Sequence, residues 1–580
     1  MEKNVMKNHE KYMPFAPVAL SQRKWPGRTV TQAPAWCSVD LRDGNQALPI
    51  PMNVDEKVSF FELLTDIGFK EIEVGFPSAS EIEYDFTRRL IEERLIPGDV
   101  YIQALVQCRE HLIRRTFESL AGVKRAVVHF YNSTSTLQRK VVFQASRREV
   151  MDIAVNAAGL VRALAEEARA GGAEIICEYS PESFSGTEGD YAIEICEAVL
   201  DTLGACRERP VIINLPNTVE MASPNVYADQ IEYFLDHLGD RNRIVLSVHP
   251  HNDRGTAVAA AELAMLAGAE RVEGTLFGNG ERTGNVDIIT LAMNLHTQGV
   301  DSRLHMEDIN YIRKVYERCT RMKVHERQPY AGDLVYTAFS GSHQDAISKG
   351  LAALRKEDSP YWNVPYLPID PADLGRQYEP VIRINSQSGK GGAAFIMEND
   401  FGYRLPKAMH PEFGRYVQKQ SEKTGQEMTG QDILDIFYRE FVYVDSPYRM
   451  ISYKTEDVSH GAPGMTPGNG VGMGQEEESS VRFVGFVEMN DVSAEIEGVG
   501  NGPLDAFYNA LQSQGIPSYD FISYDQHALS TGSDSRAIAY IQLKDKNGRL
   551  RFGVGTSKNI NKASMRALLC AINRMAHEEN

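Results

Sequence analysis

The sequence predicts an α/β chain built on a closed (β/α)8 TIM barrel, followed by a helical and mixed subdomain and a C-terminal α+β domain of doubled ββα units. Three observations lead there. Short β-rich runs recur roughly every 30 to 35 residues, each followed by a helical pattern, which is the rhythm of a parallel sheet. Polar residues collect just beyond the C-terminal ends of these runs, where barrels carry their chemistry. Near residue 461 the composition turns Gly/Pro-rich, and a self-similar segment follows.

Residues 1–30 read as an irregular lead-in. The barrel is expected over 31–301, with strands at 36–41, 71–76, 101–107, 126–131, 174–179, 211–215, 244–248 and 271–277. Runs such as Val211-Ile-Ile-Asn-Leu215 are nearly continuous in apolar residues, as strands covered on both faces must be. Eight such units fit a closed barrel better than an open doubly wound sheet, because only closure brings the ends of strands one, five and seven together. Residues 302–460 are read as linker subdomains, helical at first and then mixed. The stretch 461–480 has the composition of a flexible linker. In 481–580, Gly498-Val-Gly500 precedes one helical pattern and Gly553-Val-Gly555 another, and Asn547-Gly548 marks a hairpin.

Composition narrows the function. A net charge of −18 over 580 residues disfavours nucleic acid and anionic lipid as partners. No apolar run is long enough to span a bilayer, and the first thirty residues lack the apolar core of a secretory signal, so a cytoplasmic location is expected. Seven dispersed cysteines without C-x-x-C spacing argue against a zinc ribbon or disulfide framework and read as mostly buried thiols.

The chemistry centres on His249-Pro-His-Asn-Asp253 at the end of the seventh run. Side chains two apart on a strand share a face, so His249 and His251 can hold one divalent cation. Asp43 and Asn285 add a carboxylate and an amide oxygen, a mixed set suited to Mg²⁺, Mn²⁺ or Zn²⁺. A 2-oxo acid could complete the coordination, and Arg42 could stabilise charge growing on its keto oxygen. Glu182 is the candidate general acid–base, with Glu178 as its substitute; Thr218 offers a hydroxyl to a substrate carboxylate, or else caps the next helix. Gly278-Asn-Gly-Glu-Arg-Thr-Gly284 and Ser388-Gly-Lys-Gly-Gly392 lack the spacing of nucleotide loops and are rejected as such.

Asp40-Leu-Arg-Asp-Gly-Asn-Gln-Ala-Leu48, the His-x-His-Asn-Asp stretch and Gly274-Thr-Leu-Phe-Gly-Asn-Gly-Glu-Arg-Thr-Gly-Asn285 together resemble the acyl-CoA condensing barrels, which include homocitrate, citramalate and 2-isopropylmalate synthases and HMG-CoA lyase. The similarity is greatest to the long, leucine-regulated 2-isopropylmalate synthases, through Ser340–Ile347, Val364–Asp370, Asn385–Gly392 and the doubled tail. The resemblance implies condensation of acetyl-CoA with 3-methyl-2-oxobutanoate and water to 2-isopropylmalate and CoA, the first committed step of leucine biosynthesis, with leucine as feedback inhibitor. It implies Asp43, His249, His251 and Asn285 as metal ligands, Mg²⁺ foremost, with K⁺ as an activator. Arg42 would polarise the keto group and Glu182 would assist proton transfer. His343 and Tyr366 would come from the partner subunit of a homodimer, and Gly500, Asn501 and Gly502 would line the leucine site. Asp505, beside that turn, departs from the small residue expected there. Alternatives are a homocitrate or citramalate synthase, or a catalytically silent amino-acid sensor.

Overall fold

The eight β-rich runs form β1 (Ala35–Ser38), β2 (Glu71–Gly75), β3 (Tyr101–Gln107), β4 (Arg125–Ser133), β5 (Glu174–Glu182), β6 (Val211–Asn217), β7 (Ile244–Pro250) and β8 (Arg271–Gly274). Each pairs in parallel with the next, and β8 returns to β1, closing the barrel. These are features of a computed structural model that describes residues 8–338, 340–378, 392–424, 428–458, 480–529 and 535–577. The Ser388–Lys390 segment and all but the last residue of the 461–480 linker lie outside the described residues; Ser480 itself opens a strand.

Strand ends depart from the sequence reading in an instructive way. β1 stops at Ser38, three residues early, because Asp40–Gly44 winds into one π-helical turn whose Gly44 N–H donates to the Val39 carbonyl. β8 stops at Gly274, where the next N–H groups are taken by other partners, including the Asp40 carboxylate that accepts from Leu276. β5, β6 and β7 instead run on through Glu182, Asn217 and Pro250, so polar residues sit on the strands themselves. Pro250 closes β7, as a residue without an N–H should.

The barrel is not filled by branched apolar side chains alone. Glu73, Gln103, His129, Glu178, Arg271 and Glu273 are all buried. The Arg271 guanidinium crosses the interior, donating to Glu71, Gln103, Ser247 and Glu273 at 2.6–2.9 Å. Outside, helices start at side-chain caps: Asn53 with Glu56 for Val54–Ile67, and Ser146 with Glu149 for Arg147–Ala170. The helical stretch expected after residue 302 contains Ile309–Thr320, capped by Asp308, and Gly341–Glu357.

Two compact units emerge: residues 1–336 with 368–378, and residues 337–367 with 379–580. In the second, β9 (Tyr448–Val458), β10 (Ser480–Met489) and β11 (Val492–Gly500) form one antiparallel sheet, followed by helix Pro503–Gln512. β12 (Asp520–Ala528), β13 (Ala537–Lys544) and β14 (Leu550–Ser557) form another, followed by helix Ile560–Ala576. The doubling read from the sequence holds, with a third strand added to each half; β9 escaped notice because it lies before the Gly/Pro-rich stretch. Asp545 and Asn547-Gly548 make the β13–β14 turn, with Gly548 at φ +83°. Both faces of β13 and β14 are covered, whereas β12 at the edge of the sheet is largely exposed. Ala539, Ile541 and Leu543 join the core shared with both helices, whereas Ile538, Tyr540, Phe552 and Val554 pack with residues from 393–441. The first sheet buries Phe483, Val487 and Ile496 on one face, and carries the ion pairs Arg482–Glu497 and Arg449–Glu488 on residues that are mostly exposed.

The paired glycines explain how each helix lies so close to its strand. A Cβ at Gly555 would collide with the Ala563 carbonyl and the Ala567 N–H, and one at Gly500 with the Ala506 N–H. Gly555→Ala should therefore destabilise the second unit by about 3 kcal/mol or more. Gly502→Ala, with open space around an extended backbone, should change stability by less than about 0.5 kcal/mol. Thermal unfolding of the two variants checks this.

Candidate active site

The rim site is assembled by a tie between the first and last strands. Val39 N–H donates to Gly274 at 2.9 Å, and Asn279 donates its amide to the Gly44 carbonyl at 3.0 Å. Together with Asp40 on Leu276, these bonds hold the Asp40–Gly44 turn over the ends of β7 and β8. Asp43 consequently faces both imidazoles, its Oδ2 lying 3.1 Å from His249 Nε2 and 3.5 Å from His251 Nε2. All three residues are buried, and a ligand atom from each lies within 4.8 Å of the others.

Asn285 reaches the same rim. Its backbone bridges that of His251, and its Nδ2 donates to the Asn279 carbonyl at 3.0 Å. The glycine-rich loop before it serves this placement: Gly280, at φ +154°, leaves room that a Cβ would take from the Asn285 amide. Asn285 Oδ1 and His251 Nδ1 are both buried without a hydrogen-bond partner. Asn285 Oδ1 can only accept, so leaving it buried is costly unless a cation satisfies it; His251 Nδ1 lies on the opposite side of its ring from the Nε2 that faces Asp43.

Charge points the same way. Asp43, Glu73, Glu178 and Glu273 are buried against two guanidinium groups, Arg42 and Arg271, so negative charge is in excess. Burial pushes Glu178 well up toward its neutral form. Burial also opposes ionisation of Asp43, but the Arg42 charge and the His249 hydrogen bond outweigh it and hold the carboxyl well below the usual range. His249 is pushed up to about 9: burial opposes its charge, and hydrogen bonds to Asp43 and Glu273 prevail. Burial and the neighbouring His249 push His251 down to about 3, leaving a neutral imidazole. A proton on His249 thus supplies positive charge at the position where a divalent cation would fit.

Arg42 is fixed by Glu73, which accepts from its Nε at 2.5 Å, and its Nη1 lies 3.4 Å from Asp43. Arg42, Asp43, Glu182, Thr218, His249 and His251 all line one cavity of about 320 Å³. Glu182, at the end of β5, accepts from the Ser133 hydroxyl. Thr218 does not cap a helix; its Oγ1 accepts the Ser183 N–H at 3.0 Å, so its own proton remains available. Glu178 cannot substitute for Glu182, being fully buried below the cavity against Arg271 at 3.4 Å. His343 and Tyr366 lie in the second unit, stacked with ring centroids 4.1 Å apart, and Tyr366 is 61% exposed. The Gly500-Asn501-Gly502 turn joins β11 to its helix, and Asp505 accepts the Asn501 N–H at 2.9 Å.

The sequence reading missed the support beneath the rim: Glu73 under Arg42, Glu273 under His249, and His129 between Glu73 and Ser180. A signal existed in the charged residues at alternate positions of Glu71-Ile-Glu73 and Arg271-Val-Glu273, which an apolar strand does not need.

Asp40, buried beside this site, has its pKa pushed up to about 7, chiefly by desolvation, with the Ser38 and Leu276 hydrogen bonds opposing. Its folded value lies above the unfolded one, so its contribution to stability is full below about pH 4 and is lost as pH rises through 7. Asp40→Asn should flatten that decline, worth at most about 4 kcal/mol. Thermal unfolding between pH 5 and 8.5 measures it.

Comparison with known proteins agrees with this geometry. Residues 33–315 match the HMGL-like family, 333–398 the alpha-isopropylmalate synthase post-catalytic domain-like family, and 427–576 the LeuA allosteric (dimerisation) domain. The 2-isopropylmalate synthase of Clostridium acetobutylicum is 54% identical, covering 98% of this chain and 99% of that one. That of Rhodospirillum rubrum is 51% identical, again over 98% and 99%. With identity at this level over nearly the whole length of both relatives, the chain belongs to the 2-isopropylmalate synthase family of acyltransferases.

Proposed function

We propose that the protein condenses acetyl-CoA with 3-methyl-2-oxobutanoate and water to give 2-isopropylmalate and CoA, opening leucine biosynthesis, and that leucine inhibits it. The observation that carries this reading is the Asp43–His249–His251 cluster, with the orphaned Asn285 Oδ1 beside it. A divalent cation at Asp43, His249, His251 and Asn285 would supply Lewis acidity to the keto group of the oxo acid. Mg²⁺ fits the oxygen donors and Mn²⁺ or Zn²⁺ the imidazoles; K⁺ is proposed only as an activator.

Arg42, held between Glu73 and Asp43, places a fixed positive charge where the keto oxygen gains negative charge as the new carbon–carbon bond forms. Thr218 donates its free hydroxyl proton to the substrate carboxylate. Glu182 exchanges a proton at the cavity wall. His343 and Tyr366 complete the acid–base groups, presented by the partner subunit of a homodimer. Leu105, Phe76 and Pro216 give the cavity apolar wall, which suits a branched aliphatic chain better than the second carboxylate of 2-oxoglutarate. Leucine is assigned to the Gly500-Asn501-Gly502 turn. A cytoplasmic location accords with the finding that no described helix is long and apolar enough to cross a membrane.

The test supplies the protein with Mg²⁺ or Mn²⁺, acetyl-CoA and one oxo acid at a time, and follows free thiol. 3-Methyl-2-oxobutanoate should outcompete pyruvate and 2-oxoglutarate, and leucine should slow the reaction; leucine binding without thiol release would instead mark a sensor. His251→Ala should lower kcat at least about 1000-fold, given several kcal/mol of charge stabilisation at stake. Mixed subunits check the partner assignment: dimers re-formed from inactive His251→Ala and His343→Ala chains should regain a fraction of parent activity.

A further inference from the structure

β1 is flanked in the sheet by β2 and β8, and each neighbour sends one carboxylate beneath the rim: Glu73 under Arg42 and Glu273 under His249. Glu273 is fully buried and is not among the residues that line the cavity. Its Oε2 lies 2.8 Å from His249 Nδ1 and accepts from Asn214 Nδ2 at 3.1 Å. Its Oε1 accepts from Gln103 at 2.9 Å and from Arg271 at 2.9 Å. Four groups from β3, β6, β7 and β8 therefore fix this one carboxylate, which has little freedom to turn away.

The two imidazoles differ in this respect. His249 has a carboxylate behind it, whereas His251 Nδ1 is buried with no hydrogen-bond partner. A carboxylate on Nδ1 holds the proton there, turns the Nε2 lone pair outward and makes that nitrogen a better donor to a metal. His249 Nε2 is the atom that faces Asp43 at 3.1 Å.

Glu273 also belongs to a second buried group, with His129 and Glu178, whose donor atoms are close enough to suggest a second cation. The Arg271 guanidinium already meets that demand, lying 2.9 Å from Glu273 and 3.4 Å from Glu178. The role of Glu273 is accordingly directed at the rim.

We propose that Glu273 is a positioning residue that sets the tautomer and orientation of His249 for cation binding, an inference that rests on the cation reading of the Asp43–His249–His251 site. Glu273→Gln keeps the volume and two polar atoms but removes the charge. Mn²⁺ binding, read as free Mn²⁺ by electron paramagnetic resonance on protein first stripped with chelator, should weaken at least about 10-fold. The Mn²⁺ concentration for half-maximal thiol release should rise by a similar factor, while KM for the oxo acid at saturating Mn²⁺ stays within about twofold. Glu178→Gln, a carboxylate of the same network that bonds Arg271 and faces His129, should keep the parent Mn²⁺ affinity; a purely structural role for the network would weaken both variants alike and overturn the proposal.

A folded Glu273→Gln protein with Mn²⁺ affinity within about threefold of the parent would also overturn it. Where that variant does not fold, Glu273→Asp, which withdraws the charge by one methylene, is read by the same criterion. Failure of the unsubstituted protein to bind Mn²⁺ would remove the cation reading itself, a different result from retained binding in the variant.

Discussion

Negative charge buried at the centre of a closed sheet is the constraint around which this protein is organised. Carboxylates on β2, β5 and β8 and in the turn after β1 converge where a barrel ordinarily packs branched hydrocarbon. Taking such groups out of water costs several kcal/mol each unless partners restore what is lost. Arg271 answers the lower part of the cluster and Arg42 the outer part. What remains unanswered is concentrated at Asp43, His251 and Asn285, and the chemistry of the site follows from that remainder.

Placement of the remainder depends on backbone more than on side chains. β1 is short, and the turn after it is held over β8 by Asp40, Val39 and Asn279. That tie is what sets the Asp43 carboxylate opposite His249, on β7, and His251, just after it. The glycine-rich loop from 278 to 284, which looks superficially like a phosphate cradle, instead folds back on itself so that Asn285 can stand beside His251. Glycine there makes room for an amide, not for a ligand.

Much of this was legible from residue order. Strand positions followed from apolar runs and their spacing, because parallel strands covered on both faces leave an unmistakable composition. His249 and His251 were visible as a pair because strand alternation is a local rule. The extent of β1 and β8 was not visible, since β1 runs into a π-helical turn and that turn is held to the residues after β8 by bonds between groups more than 200 positions apart in sequence. Glu73 and Glu273 were overlooked for a related reason: inside a strand a lone glutamate looks like an exposed position, and only closure of the barrel turns it inward. β9 could not be assigned to its sheet because its partner follows an intervening Gly/Pro-rich stretch.

The duplicated tail has halves of the same topology in unequal surroundings. Around β13 and β14 both sides of the sheet are enclosed, and helices from 392–437 share the outer layer with Tyr540 and Phe552. Around β9–β11 one side meets water through paired charges on its strands. The Gly500-Asn501-Gly502 turn thus belongs to the half whose sheet leaves a charged face uncovered, while the other half gives its outer face to the helices from 392–437.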